Sequence, residues 1–151
     1  MPHNNTPITT LLSRKSSEVY STSPDQTVAE AVAEMNRHRV GCVVVLDGED
    51  LVGIFTERDV LTRIVAEAKD ARTTKVAEVM TPGPEYLHTS DTISSAMQRM
   101  TERRTRHLPV FDSKHSLVGL VSIGDVTRWQ SEENQAEAEY LKNYAFGEFT
   151  A

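Results

Sequence analysis

One stretch of this chain occurs twice. Gly53-Ile54-Phe55-Thr56-Glu57-Arg58-Asp59-Val60 is echoed by Gly119-Leu120-Val121-Ser122-Ile123-Gly124-Asp125-Val126. Both read glycine, two apolar residues, a hydroxyl residue, two variable residues, aspartate, valine. The echo reaches beyond the motif. Val28, Ala31, Val32 and Met35 recur 65 residues later as Ile93, Ala96, Met97 and Met100, at the spacing of one buried helix face. The run from Val43 to Asp47 recurs at the same offset as Leu108-Pro109-Val110-Phe111-Asp112. The next turn, residues 113–116, is one residue longer than its partner, so the motif offset becomes 66. An offset held through helix, strand, turn, strand and helix marks a duplication. Each copy is too small to bury both faces of a sheet alone, so the two must pack on each other about a pseudo-twofold axis. Equivalent clefts then lie between them, and ligands favour such concave junctions.

In each copy an apolar strand runs into a turn, and a helix starts at Thr56 or Ser122. A helix start presents free N–H groups and the positive end of the dipole, which suits a phosphate. Asp59 or Asp125, three residues on, is an acceptor able to take hydrogen bonds from a ribose diol. The same pair of residues also resembles a capping box, in which both side chains serve the helix's own N–H groups. The motif carries weight as a pair rather than alone.

At 151 residues the chain suits one compact domain or two small modules sharing a core. No run approaches the roughly 18 apolar residues of a membrane helix. Residues 1–10 lack the basic start and apolar core of a signal peptide, and the single cysteine, Cys42, fits a reducing cytoplasm. A net charge of −6 disfavours a broad nucleic-acid surface. The five histidines show no metal-ligand spacing.

Residues 1–15, with Ile8, Leu11 and Leu12 as an apolar patch, form a lead-in helix or a docked tail. The first repeat is expected over 16–68, with an entering strand at 16–20, a helix from Thr27 broken by Gly41, strands at 42–46 and 51–55, and a helix from 56 to about 68 with Val60, Leu61 and Ile64 inward. A polar linker spans 69–75, and the second repeat spans 76–130. Residues 131–151 form a helical tail outside the repeat, whose apolar side (Tyr140, Leu141, Tyr144, Phe146, Phe149) covers the body or a dimer mate, or serves another protein. Cys42 reads as a buried small hydrophobe, and Trp129 as a seal at the end of the last helix.

Repeat length, element order and the doubled Gly-x-x-[Thr/Ser]-x-x-Asp resemble a tandem pair of cystathionine-β-synthase (CBS) domains, a Bateman module. The resemblance covers about residues 16–129 and also rests on Thr105-Arg106-His107-Leu108-Pro109-Val110. It is strongest to small stand-alone bacterial two-repeat proteins. The implied fold class is α/β (α+β), each repeat a small mixed three-stranded sheet with two helices. The implied function is regulatory rather than catalytic: binding of an adenosine compound (AMP, ADP, ATP, S-adenosylmethionine or NAD(H)), commonly by a homodimer.

The family's roles transfer only where the motif matches. Asp125 and Asp59 fall at ribose-binding aspartates, Ser122 and Thr56 at the hydroxyls beside ribose and phosphate. Arg106 and His107 fall where phosphates are held in the second site; Val40, Gly41, Tyr20 and Ile123 would line its adenine. In the first site Arg58 would meet phosphate, Thr81 and Pro82 the adenine wall, and Thr105 and Arg106 the cross-repeat lining. The sites are not equivalent, because Arg106 and His107 correspond to Gly41 and Cys42, and Arg58 to Gly124. The leading expectation is an adenine-nucleotide sensor whose output passes through dimer geometry or a protein partner. Against an enzyme stands the lack of a nucleophile–base constellation, a metal set or a Walker-type loop. A ligand-free interaction module using the tail is the alternative.

Overall fold

The computed structural model describes residues 5–15 and 18–145. The chain order is α1 (Ile8–Ser13), β1 (Ser21–Thr22), α2 (Val28–His38), β2 (Cys42–Asp47), β3 (Asp50–Thr56), α3 (Glu57–Asp59), α4 (Val76–Val79), β4 (Thr81–Pro82), β5 (Leu87–His88), α5 (Ile93–Arg103), β6 (His107–Phe111), β7 (Leu117–Ser122) and α6 (Ile123–Ala145). Between α3 and α4 a π-helical stretch occupies Val60–Val65.

Each repeat builds a mixed sheet from a parallel entering strand and an antiparallel hairpin: β1-β2-β3 in the first, β5-β6-β7 in the second. The second sheet has the expected three strands. The first gains a fourth, because β4 pairs with β3. β2 is apolar on both faces for a reason visible in its partners. Val43 and Val45 join Phe55 and the helices in one core, while Cys42, Val44 and Ile54 face Leu117 and Leu120 of the other repeat.

The opening helices are exchanged between repeats. Ile8 and Leu11 of α1 are buried in the core of the second repeat, beside Leu108, Val110 and Trp129. Val76 and Val79 of α4 are buried in the core of the first, beside Val43, Val45 and Phe55. The backbone repeats the exchange. Ile8 N donates to Asp91 O as Val76 N donates to Gln26 O, and Ile93 N donates to Thr6 O as Val28 N donates to Thr74 O. The lead-in is thus the first repeat's counterpart of residues 75–81, at an offset of 68 rather than 65.

Several expectations need correction. The entering strand is Ser21–Thr22, not 16–20; Ser16 and Ser17 lie outside the described residues. Helix α2 ends at Arg39, which takes the left-handed cap conformation (φ 55°), before Gly41 is reached. Arg104 ends α5 in the same way. Leu61 does not face inward but is 63% exposed. In the π-helical stretch Ala66 N bonds to Leu61 O and Lys69 N to Ile64 O, an i→i+5 pattern that widens the turn and changes which side chains share a face. Trp129 is buried in mid-helix, because α6 runs unbroken from Ile123 to Ala145 across the expected boundary at 130. Tyr140 and Leu141 are more than half exposed, so this part of the tail does not cover the body. The side chains of Tyr144, Phe146 and Phe149 lie outside the described residues.

Candidate functional site

The two motifs sit at the same end of their sheets, because each hairpin carries its turn at the opposite end. β3 delivers Thr56 and β7 delivers Ser122 to the first turn of the following helix. Locally the two copies match. Asp59 N donates to Thr56 Oγ1 at 3.3 Å and Thr56 N to Asp59 Oδ2 at 2.9 Å. Asp125 N donates to Ser122 Oγ at 3.1 Å and Ser122 N to Asp125 Oδ2 at 2.9 Å. Both copies are therefore capping boxes. The difference lies in what else reaches each aspartate.

Asp59 is 5% exposed. Its Oδ2 also accepts from Thr56 Oγ1 at 3.2 Å, and its Oδ1 accepts from Thr81 Oγ1 at 3.3 Å with Arg63 Nε at 3.6 Å. Asp125 receives one further donor. Lys15 Nζ bonds to Asp125 Oδ2 at 2.5 Å and to the Leu120 carbonyl at 2.7 Å. Among the described residues no protein group reaches Asp125 Oδ1. Burial raises the Asp125 pKa, but the Lys15 ammonium and the Ser122 N–H outweigh it and hold the carboxyl below its ordinary value.

Two cavities meet at Gly41. One, of about 260 Å³, is walled by Val19, Tyr20, Val40, Gly41, Cys42 and Leu120, with Lys15, Glu18 and Ser122 as its polar groups. The other, of about 150 Å³, is lined by Gly41, Thr56, Glu57, Arg58, Arg106 and His107. Gly41 keeps this junction open, since a Cβ there would meet Glu57 Oε1 at 2.9 Å. Lys15 also lines a 40 Å³ niche containing Asp125 and Trp129, so it stands between the larger cavity and the carboxylate.

The structure thus brings together Tyr20, Val40, Gly41 and Ser122 in one cavity, and Gly41, Thr56, Arg58, Arg106 and His107 in the next. Asp59, Asp125, Ile123, Thr81, Pro82 and Thr105 border neither, and Asp125 lines the adjoining niche behind Lys15. Thr81 and Pro82 pair with β3, and the Thr105 hydroxyl bonds to the His107 carbonyl. Tyr20 stacks on His38 with ring centroids 3.7 Å apart, and its hydroxyl bonds to Glu18 at 2.5 Å. Burial lowers the His107 pKa, opposed by the Asp125 and Glu57 charges, so the ring is neutral at pH 7. Cys42 is pushed up to about 12 by burial, which leaves it an inert thiol. A shallower groove of 390 Å³ at the hairpin-turn end has Glu49 and Asp50 in its lining and so repels an anion. Lys15, Glu18, Val19, Cys42, Leu120 and Glu57 are lining residues that the sequence reading did not single out. For Lys15 a signal was present in the 68-residue echo of Ile8, Leu11 and Leu12 by Val76, Val79 and Met80.

The sequence matches the CBS domain family twice, over residues 13–66 and 76–132. The chain belongs to the CBS-domain family. A relative from Arabidopsis thaliana, the mitochondrial CBS domain-containing protein CBSX3, is 40% identical over 128 residues. That match covers 82% of this chain and 62% of the relative, under two thirds of its length. The crystal structure of the CBS domain NE2398 superposes with a TM-score of 0.78 at 36% identity, covering 82% of this chain and 96% of that one. The CBS domain protein PAE2072 from Pyrobaculum aerophilum, complexed with AMP, superposes with a TM-score of 0.70 at 25% identity, covering 79% and 88%. CBS pairs are in general regulatory modules that bind adenosine ligands. No helix among the described residues is long and apolar enough to cross a membrane.

Proposed function

We propose that this CBS pair is a regulatory sensor of an adenine nucleotide (AMP, ADP, ATP or NAD(H)), held where the two repeats meet. The observation that carries the reading is the sequence of chemistries around Gly41. Apolar Val19, Tyr20, Val40, Cys42 and Leu120 suit a base, Ser122 with Asp125 in the adjoining niche suits a ribose, and Arg58, Arg106 and neutral His107 suit phosphates. The AMP bound by the Pyrobaculum protein supports the same ligand class. A charge-assisted contact from arginine to phosphate contributes about 1.5–3 kcal/mol, enough to set affinity. Ligand contacts with both repeats bias their relative arrangement by whatever difference in affinity the two arrangements offer. The output then passes through a homodimer or a protein partner.

A thermal-shift series with AMP, ADP, ATP, NAD⁺, NADH and S-adenosylmethionine tests the reading, with Asp125→Ala alongside. A ligand at about 100 times its dissociation constant adds roughly 2.7 kcal/mol of stability. A shift in the wild type that Asp125→Ala abolishes is the expected result. No shift from any compound, with no nucleotide released on denaturation, overturns it. The exposed Tyr140 and Leu141 favour the second reading, an interaction module acting through α6.

A further inference from the structure

We infer that each chain holds one nucleotide, at Asp125, and that Asp59 serves the fold alone. The inference rests on the adenine-nucleotide reading and specifies its stoichiometry. Two aspartates at equivalent places are equally fit to take a ribose diol only if each has an oxygen to offer. Asp59 has none. Thr56 N and Oγ1 occupy Oδ2, while the Thr81 hydroxyl and the Arg63 guanidinium face Oδ1. A ribose hydroxyl would have to compete with the Thr81 hydroxyl and with a guanidinium that the Val79 and Met80 carbonyls hold in place, at a carboxylate only 5% exposed.

The counterparts of those two donors are absent around Asp125. Arg63 corresponds to Trp129, whose Nε1 is buried without an acceptor among the described residues and so does not bond the carboxylate. Thr81 corresponds, through the exchanged opening segments, to Ser13, whose hydroxyl turns back to Thr10 O at 2.7 Å. What holds Asp125 instead is Lys15, a long flexible side chain with 27% of its surface exposed, bonded to Oδ2 only. A flexible ammonium can follow an incoming ligand, whereas Thr81, paired within the sheet beside β3, cannot. The cavity at Gly41 takes Arg58 from the first repeat and Arg106 from the second, so one phosphate group placed there meets both guanidinium groups.

Trp129, the chain's one tryptophan, lines the niche that contains Asp125 and Lys15, so it reports on this site alone. Calorimetric titration of the full chain with AMP, paired with tryptophan fluorescence, decides the matter. One AMP per chain is expected, with the fluorescence change saturating together with the heat. Asp125→Asn should weaken binding at least about tenfold, and Asp59→Asn should leave it within a factor of about three. Two AMP per chain would overturn the single site while leaving the sensor reading intact, and so would one AMP that leaves Trp129 silent. Should Asp59→Asn fail to fold, the wild-type stoichiometry and fluorescence still decide. No heat with AMP, ADP, ATP, NAD⁺ or NADH, from protein that releases no nucleotide on denaturation, overturns the sensor reading itself, and this inference with it.

Discussion

Lys15 and His107 put opposite charge histories into one groove, and pH separates them. The Asp125 carboxyl is held below its ordinary value, with burial opposing and Lys15 dominant among the groups that lower it. A depressed carboxylate contributes stability that is present above its unfolded pKa and is lost as pH falls through the folded one. Lys15→Met should therefore destabilise the protein by about 1 kcal/mol at neutral pH, with the gap to wild type narrowing once pH falls below the ordinary aspartate value of about 3.9. Urea unfolding across that range measures both. His107 has the same sign in a higher pH window. Its pKa is lowered by burial, so folding favours the neutral ring, and this contribution fades as pH falls below the ordinary histidine value. A phosphate beside it favours the imidazolium, so AMP binding should take up a proton. Between about pH 7.5 and 6 the affinity should rise two- to threefold more in the wild type than in His107→Gln, read by calorimetry.

Among the elements, the exchanged helices meet their host sheets at two glycines with different tolerances. A Cβ on Gly53 would lie 2.7 Å from Met80 Sδ and 2.8 Å from the Thr81 carbonyl oxygen, and the carbonyl belongs to a paired strand. A Cβ on Gly119 would meet only the end of the Leu12 side chain, at 2.8 Å. Gly53→Ala should cost about 1–3 kcal/mol and Gly119→Ala less than about 1, by chemical denaturation. The duplication, both hairpins and helices α2 and α5 were legible because apolar spacing and a constant offset report burial directly. The exchange of opening helices was not, because three extra residues shift its offset to 68 and hide it from a search at 65. Gly41 was the natural helix breaker by conformational freedom, yet Arg39 takes the left-handed turn. Leu61 was misplaced because spacing rules assume 3.6 residues per turn, which a π-helical stretch does not keep. At the site, residue types identified the two aspartates, but only geometry distinguishes them. Nothing in a shared Gly-x-x-hydroxyl-x-x-Asp says that Thr81 and Arg63 close one carboxylate and not the other.

For the molecule as a whole, the exchange makes the two repeats interdependent. Deleting residues 1–13 removes buried Ile8 and Leu11 from the second repeat's core. At about 1.5–3 kcal/mol per buried aliphatic side chain, the loss approaches half of a typical domain's stability. The melting temperature should fall steeply, and a single cooperative transition should persist or vanish altogether, because the sheets also share Cys42, Val44, Ile54, Leu117 and Leu120. Two separate melting steps, seen by calorimetry, would contradict that coupling.

The same exchange sets a timetable for a chain emerging from the ribosome. The first repeat has β1 to β3, α2 and α3 once residue 65 is out, yet Val76 and Val79, which close its core, and β4, which completes its sheet, come later. The second repeat faces no such wait, since its missing helix, α1, is made before it. Nascent chains arrested with 68 residues exposed should therefore remain open to protease. Those arrested with about 85 exposed should gain protection in a single step, before any of the second hairpin has emerged.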